Sequence, residues 1–122
     1  MNICIYGASS SIIAGAYINP VEELGARLAK RGHTLVFGGG KYGLMGAAVR
    51  GVKAAGGRAL AVVPEFLASG GIIYEDCDEI VYTDTMRRRK EIMEDRADAF
   101  IITPGGPGTL DEFFEILTLK QL

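Results

Sequence analysis

The sequence contains few of the residues from which proteins build metal centres. It has one histidine and two cysteines, and Cys4 and Cys77 show no CxxC spacing. Zinc sites use three or four such ligands at short, regular spacings. We therefore expect no metal site, and the two cysteines are consistent with a reducing, cytoplasmic location.

The chain also lacks a strong net charge and a long apolar segment. Thirteen Lys plus Arg stand against fifteen Asp plus Glu, which leaves a formal charge of -2. Such a balance creates no overall field that would attract nucleic acid or a membrane surface. No apolar run reaches the roughly 20 residues of a membrane-spanning helix. Residues 1–6 lack the basic and apolar regions of a secretion signal, so we expect neither export nor membrane insertion.

Apolar runs alternate with helical patterns along the whole chain. Predicted strands cover residues 2–6, 33–37, 58–63, 79–82 and 98–103, and helical patterns follow most of them, the last one from residue 109 onward. This alternation predicts an α/β fold, a doubly wound parallel sheet of Rossmann type, because right-handed crossovers place helices on both faces. We expect a single domain over residues 1–122. The irregular segment 65–78 is predicted to be a surface loop with one helical turn.

The last helical pattern runs to Leu122 without a stop signal. Helices usually end at a glycine or shortly before a proline, and neither is present here. We therefore expect the sheet to lack its last strand and helix. Either the chain is shortened at this end, or a partner covers the exposed sheet edge.

A glycine-rich segment, residues 104–112, joins the fifth predicted strand to the last helix. Glycine lets a ligand approach the backbone, and the unpaired N–H groups of a first helical turn attract anions. Glu112 lies one turn inside this helix. Two interpretations are open for it: a carboxylate that acts on a bound substrate, or one half of a capping box with Thr109, which would only satisfy a backbone N–H.

Four consecutive cations, residues 87–90, open another predicted helix. Positive charge is disfavoured there by a few tenths to about 1 kcal/mol per exposed residue. The acids at positions 91 and 94 can pair with the other three cations, but Arg89 meets only Ile92 and Met93 at the pairing distances. Arg89 should lie on the inward side of the helix with Met86 and Met93. An inward arginine without a local acid predicts a partner elsewhere, either a ligand phosphate or Glu112.

Gly38, Gly40 and Gly43 formally match the dinucleotide-binding fingerprint, and Glu65 lies at about the right distance beyond them. In dinucleotide-binding domains, however, the fingerprint follows the first strand, whereas here it follows the second. NAD binding, a plain packed turn, and part of a nucleotide-phosphate or sugar pocket all stay open. We favour the pocket.

Taken in order, three motifs resemble the LOG ("lonely guy") family: GGGxxGLMG at 38–46, MxxRK at 86–90 and PGGxGTxxE at 104–112. The resemblance implies a phosphoribohydrolase that cleaves the N-glycosidic bond of a nucleoside 5′-monophosphate, a cytokinin riboside monophosphate or AMP, to free base and ribose 5-phosphate. It further implies no cofactor and a homodimer with the site near the subunit interface. Family members have been labelled lysine decarboxylases, but the sequence shows no evident pyridoxal phosphate site.

The resemblance also assigns roles to individual residues. Arg89 and Glu112 are the expected catalytic pair. The expected substrate-binding residues are Ser9, Gly39, Gly40, Met86, Lys90, Gly105, Gly106, Gly108 and Thr109. Two alternatives on the same fold are a non-catalytic carrier of a nucleotide or of the molybdenum cofactor, and an NAD(P)-binding module. Family chains continue past the helix that holds Leu122 into a further strand and helix.

Overall fold

A computed structural model describes residues 1–13 and 15–122. The strands are β1 (Asn2–Tyr6), β2 (Thr34–Phe37), β3 (Arg58–Pro64), β4 (Glu79–Thr83) and β5 (Ala99–Ile102). The helices are α1 (Ile18–Lys30), α2 (Gly43–Ala54), α3 (Glu65–Ala68), α4 (Met86–Arg96) and α5 (Pro107–Gln121), and a 3-10 turn covers Gly15–Tyr17. Each strand boundary lies within one residue of its predicted position. Among the described residues, no helix combines the length and the apolar composition that a membrane crossing demands.

The five strands form one sheet in the order β4-β3-β2-β1-β5, and every pairing is parallel. From β1 the chain moves outward through β2 and β3 to the edge strand β4, and α1 and α2 lie on one face of the sheet. Helix α4 then carries it back across the sheet to β5, on the other side of β1. A right-handed crossover in the reversed direction must use the opposite face. The predicted doubly wound, Rossmann-like sheet is confirmed.

Alternate residues of each strand enter two separate apolar layers. Ile5, Phe37 and Val63 are buried against α1 and α2. Tyr6 and its neighbours Cys4, Val36, Leu60 and Val62 point to the other face, where Met93 of α4 is fully buried. Because both faces are covered, the strands appear in the sequence as continuous apolar runs rather than as alternating ones.

Helices α1 and α2 cross in direct backbone contact at two glycines. A Cβ on Gly25 would overlap the carbonyl oxygen of Ala48, and a Cβ on Gly51 would overlap the carbonyl oxygen of Glu22. Glycine inside a helix costs about 0.5–1 kcal/mol relative to alanine. Close approach of the two helices therefore requires these residues in spite of their low helix propensity.

Replacing Gly51 with alanine should lower the free energy of unfolding by about 1–3 kcal/mol, since overpacking outweighs the gain in helix propensity. Urea unfolding measures this difference. Gly70→Ala is the matched control, because a Cβ there lies 3.8 Å from its nearest described neighbour. A Gly51→Ala variant as stable as the wild type would contradict the close packing.

Candidate active site

A cleft of about 530 Å³ opens where the loops after β1, β2 and β5 leave the same edge of the sheet. After β1 the chain turns to the face that carries α1, and after β5 it turns to the opposite face. The loops that follow these two neighbouring strands therefore diverge and leave a crevice between them. Ligands of doubly wound proteins bind at such switch points. The volume is within the range of small-molecule sites.

The loops after β1 and β5 are joined by hydrogen bonds at the base of the cleft. The Ala8 N–H donates to the carbonyl oxygen of Pro104 at 3.0 Å, and the Thr103 N–H and hydroxyl both donate to the carbonyl oxygen of Tyr6, at 2.8 Å and 2.9 Å. These bonds fix the position at which α5 begins.

Helix α5 begins at Pro107 with Gly106 as its N-cap, and no side chain in the described part of the chain caps it. Thr109 lies inside the first turn, so the capping box that the sequence allowed with Glu112 is not formed. The N–H groups of this turn are available to an anion in the cleft, and the helix dipole favours negative charge there.

Helix α4 directs Arg89 into the molecule. Its N-cap is Thr85, whose hydroxyl accepts a hydrogen bond from the Arg88 N–H at 3.0 Å. Arg88 itself turns outward and pairs with Glu91 at 2.8 Å. Arg89 and Met93, one turn apart, are the buried residues of this helix. The predicted inward orientation is confirmed for Arg89 and Met93, whereas Met86, the first residue of the helix, is 45% exposed.

Arg89 and Glu112 meet in the wall of the cleft. They are 5% and 8% exposed, and Nη2 of Arg89 lies 3.7 Å from Oε2 of Glu112. Nη1 lies 3.7 Å from the sulfur of Met86, and Nε has no hydrogen-bond partner among the described residues. Buried donors are normally satisfied, and an unused one is costly. The guanidinium therefore has donor capacity that the described side chains leave unused.

Burial is also the main influence on Glu112. It raises the pKa of this carboxyl from its ordinary value of 4.5 to about 7, while the nearby Arg89 charge lowers the pKa and Asp111 raises it further. A carboxyl that titrates near neutral pH can hold or release a proton under working conditions.

The described cleft wall lacks the usual ligand set of a metal ion and a lysine suited to pyridoxal phosphate. The described residues contain no group of three or more His, Cys, Asp or Glu that could hold a metal ion. Lys90 is the one lysine of the described cleft wall, and its Nζ contacts Glu115 at 2.7 Å and Asp111 at 3.0 Å. The hydrogen bonds that Lys90 donates to the carboxylates of Glu115 and Asp111 raise its pKa. A Schiff-base lysine must lose its proton, so Lys90 does not suit pyridoxal phosphate and instead ties α4 to α5.

Most of the residues proposed from the sequence lie together in the cleft wall. They are Ser9, Gly40, Met86, Arg89, Lys90, Gly106, Gly108, Thr109 and Glu112. Gly39 and Gly105 stand behind that wall. The carbonyl oxygen of Gly39 accepts a hydrogen bond from the Tyr74 N–H at 2.8 Å. Gly105 packs against the hydroxyl of Thr109, so both glycines shape the loops.

Sequence reasoning missed the apolar side of the cleft. Leu67, Ile72 and Ile73 line it, although they belong to the segment predicted as a surface loop. The predicted helical turn is present as α3, but an isolated bridge between Gly40 and Ile73 folds the segment over the cleft. Contacts between residues so distant in the chain leave no periodic signal.

The dinucleotide fingerprint occupies a different place from that of a dinucleotide site. It follows β2, one strand away from the switch point, and Glu65 is exposed and outside the cleft wall. Gly43 has a φ of +61°, and a Cβ on it would lie only 2.6 Å from the carbonyl oxygen of Ser10 in the loop after β1. The third glycine therefore serves loop packing.

The raised pKa of Glu112 makes the stability of the protein depend on pH. Between pH 4.5 and about 7, the folded protein keeps a proton that the unfolded chain has lost. The free energy of unfolding should therefore fall across this window as pH rises, by about 3 kcal/mol in total. Glu112→Gln should remove most of this fall, as measured by urea unfolding from pH 4.5 to 8, and the remainder should come from Glu94, whose pKa burial also raises. Glu91→Gln, at an exposed surface pair, is the control, and parallel curves for wild type and Glu112→Gln would contradict the assignment.

Residues 45–122 match the family model described as "Possible lysine decarboxylase". The chain is 46% identical, over 116 residues, to the cytokinin riboside 5′-monophosphate phosphoribohydrolase of Mycobacterium tuberculosis, covering 95% of this chain and 62% of the relative. It is 39% identical, over 120 residues, to such a protein of Arabidopsis thaliana, covering 98% and 56%.

Among solved structures, the molybdenum cofactor carrier protein of Chlamydomonas reinhardtii aligns with a TM-score of 0.84 at 28% identity, covering 98% of this chain and 71% of that one. This chain spans about three-fifths of the length of the curated relatives described above. The two sequence alignments cover 95% and 98% of this chain, so they span the segments that hold the three motifs. The chain belongs to the LOG family.

Proposed function

We propose that the protein hydrolyses the N-glycosidic bond of a nucleoside 5′-monophosphate, AMP or a cytokinin riboside monophosphate, to free base and ribose 5-phosphate. The observation that carries the proposal is the buried Arg89–Glu112 pair beside the uncapped start of α5. One cleft thus combines an anion site with a carboxylate that titrates near neutral pH. The names of relatives at 46% and 39% identity support the same activity.

The phosphate would bind at the first turn of α5. The N–H groups of Gly108 and Thr109 lie in that turn, and the exposed hydroxyl of Ser9 lies across the cleft on the loop after β1. The helix dipole favours the phosphate charge. Anchoring the phosphate holds the ribose in a single position, which converts binding energy into orientation of the bond to be broken.

The reaction needs a negative charge beside C1′ of the ribose. As the base departs, positive charge develops on the ring, and an ionised Glu112 would stabilise it or accept a proton from the attacking water. The water oxygen bonds to C1′, the C1′–N bond breaks, and the departing base takes up a proton. Arg89 would hold the carboxylate in place and contact a substrate oxygen through its unused donors.

The base would lie against the apolar side of the cleft. Met45, Met86, Leu67 and Ile72 face this space. A flat, largely apolar ring gains free energy from leaving water on such a surface. The cleft therefore has a charged end for the ribose phosphate and an apolar end for the base.

Glu112→Gln should reduce kcat/KM for AMP and for isopentenyladenosine monophosphate about 10²–10⁴-fold, since the side chain can no longer carry charge or accept a proton. The assay measures ribose 5-phosphate. Glu91→Gln should keep wild-type activity. Because Glu112 must be ionised, wild-type kcat/KM should rise as pH increases through about 7. Absence of product from either nucleotide would contradict the enzymatic function.

A non-catalytic carrier is the second candidate, because the Chlamydomonas reinhardtii structure shares the fold at 28% identity. The same assay separates the two functions. A carrier would bind a phosphorylated ligand, seen as a rise in Tm, without releasing ribose 5-phosphate. Release of product that depends on Glu112 would exclude a purely binding function.

We further propose a homodimer that works in the cytoplasm. The cysteines Cys4 and Cys77 are both free, which suits a reducing compartment. One face of α5 exposes Leu110, Phe114 and Leu117, at 52%, 57% and 48% of their surface. Their spacing of four and three residues makes one continuous apolar stripe, and such stripes mark contact surfaces.

Phe114→Glu should convert the dimer to a monomer, because a charge would be buried at the contact. Light scattering after size-exclusion chromatography measures the mass. Gln121→Glu, which adds the same charge near the end of α5, should leave the mass unchanged. A wild-type protein with the mass of one chain would contradict the dimer.

A further inference from the structure

Gly38 lies directly against the guanidinium of Arg89. It follows the last residue of β2 and is buried. A Cβ at this position would overlap Nη2 of Arg89 and would lie 2.9 Å from Cζ of the same side chain. The end of Met45 is also close, at 3.2 Å from the same point. The guanidinium therefore occupies the space that any other residue would fill at position 38.

The backbone at Gly38 does not itself require glycine. Positive φ angles in the described part of the chain occur at Gly32, Gly39, Gly43, Gly56 and Gly71. Gly38 is not among them, so its main chain has a conformation that alanine can adopt without strain. The requirement at this position comes from the side chain of Arg89.

Hydrogen bonds hold Arg89 only weakly. Among the described residues, its side chain makes two polar contacts, to Glu112 and to the sulfur of Met86, both 3.7 Å long, and Nε makes none. Packing must then determine where the guanidinium lies. The guanidinium lies in the space that a side chain at position 38 would fill. A single methyl group there would take up this space.

We propose that Gly38 is a positioning residue, whose missing side chain seats the Arg89 guanidinium beside Glu112. The effect on catalysis rests on the proposed function, but the packing of the guanidinium against Gly38, called the seat below, does not. Gly39 and Gly40 of the same motif have different neighbours. A Cβ on Gly39 would press on Val63 at 2.5 Å, and one on Gly40 would make an ordinary contact with Met45 at 3.4 Å.

Gly38→Ala should displace the end of a flexible side chain rather than the backbone, so the variant should still fold. With the guanidinium displaced, kcat/KM should fall about 10²-fold, the order of loss expected for a misplaced group. The Arg89 charge lowers the pKa of Glu112. Its displacement should therefore move the rise of kcat/KM with pH to higher pH, which simple destabilisation of the fold would not do.

A double-mutant cycle with Arg89→Ala tests whether a methyl group at position 38 clashes with the Arg89 side chain. Tm is measured for wild type, Gly38→Ala, Arg89→Ala and the double variant. Gly38→Ala should lower Tm in the wild type, and this effect should disappear in the Arg89→Ala background, where the methyl group has room. The control is Gly70→Ala, which adds a methyl group outside the cleft wall. It should leave the Tm difference between wild type and Arg89→Ala unchanged, and it should not change kcat/KM of the wild type.

Equal Tm losses from Gly38→Ala in both backgrounds would overturn the seat, because the methyl group would then clash with something other than Arg89. An unshifted pH profile of Gly38→Ala would overturn the positioning of Arg89 beside Glu112. If the wild type releases no ribose 5-phosphate, the proposed function fails, and the Tm cycle still decides the role of Gly38.

Discussion

The buried pair of Arg89 and Glu112 is the constraint on which the rest of the site depends. Removing two charges from water is costly, and a separation of 3.7 Å with an unsatisfied Nε recovers only part of that cost. Well-packed apolar residues would stabilise this position at least as well. Stability alone therefore does not account for the pair, which agrees with the catalytic role proposed for it.

The topology brings the two charges together. Helix α4 crosses the sheet on the face that α5 also covers, and α5 begins beside the end of β1. Lys90, with contacts of 2.7 Å and 3.0 Å to two carboxylates of α5, holds the two helices at this point. Since these carboxylates are already paired with Lys90, they would repel an anion in the cleft less than free ones would. One lysine thus links the two helices and partly neutralises the negative charge at the rim of the cleft.

Small residues shape the site as much as charged ones do. Gly38 leaves space for a guanidinium, Gly105 lets the loop after β5 contact the loop after β1, and Gly106 leaves the start of α5 open. Close approach of neighbouring groups explains the first two, and the missing cap explains the third. The glycine clusters of the sequence therefore reflect several distinct packing requirements around one cleft.

The fold and the orientation of Arg89 could be predicted from the sequence. Strands that are buried on both faces appear as apolar runs, and the helical spacings around Arg89 showed that no acid on its own helix could pair with it. Local patterns determined the elements, the parallel sheet and the inward side of α4. They could not decide between a capping box and an active carboxylate at Glu112, since the spacing suits both. Only the tertiary structure placed Leu67, Ile72 and Ile73 in the cleft and Gly38 behind Arg89. Those contacts join segments distant in the chain, and sequence periodicity carries no information about them.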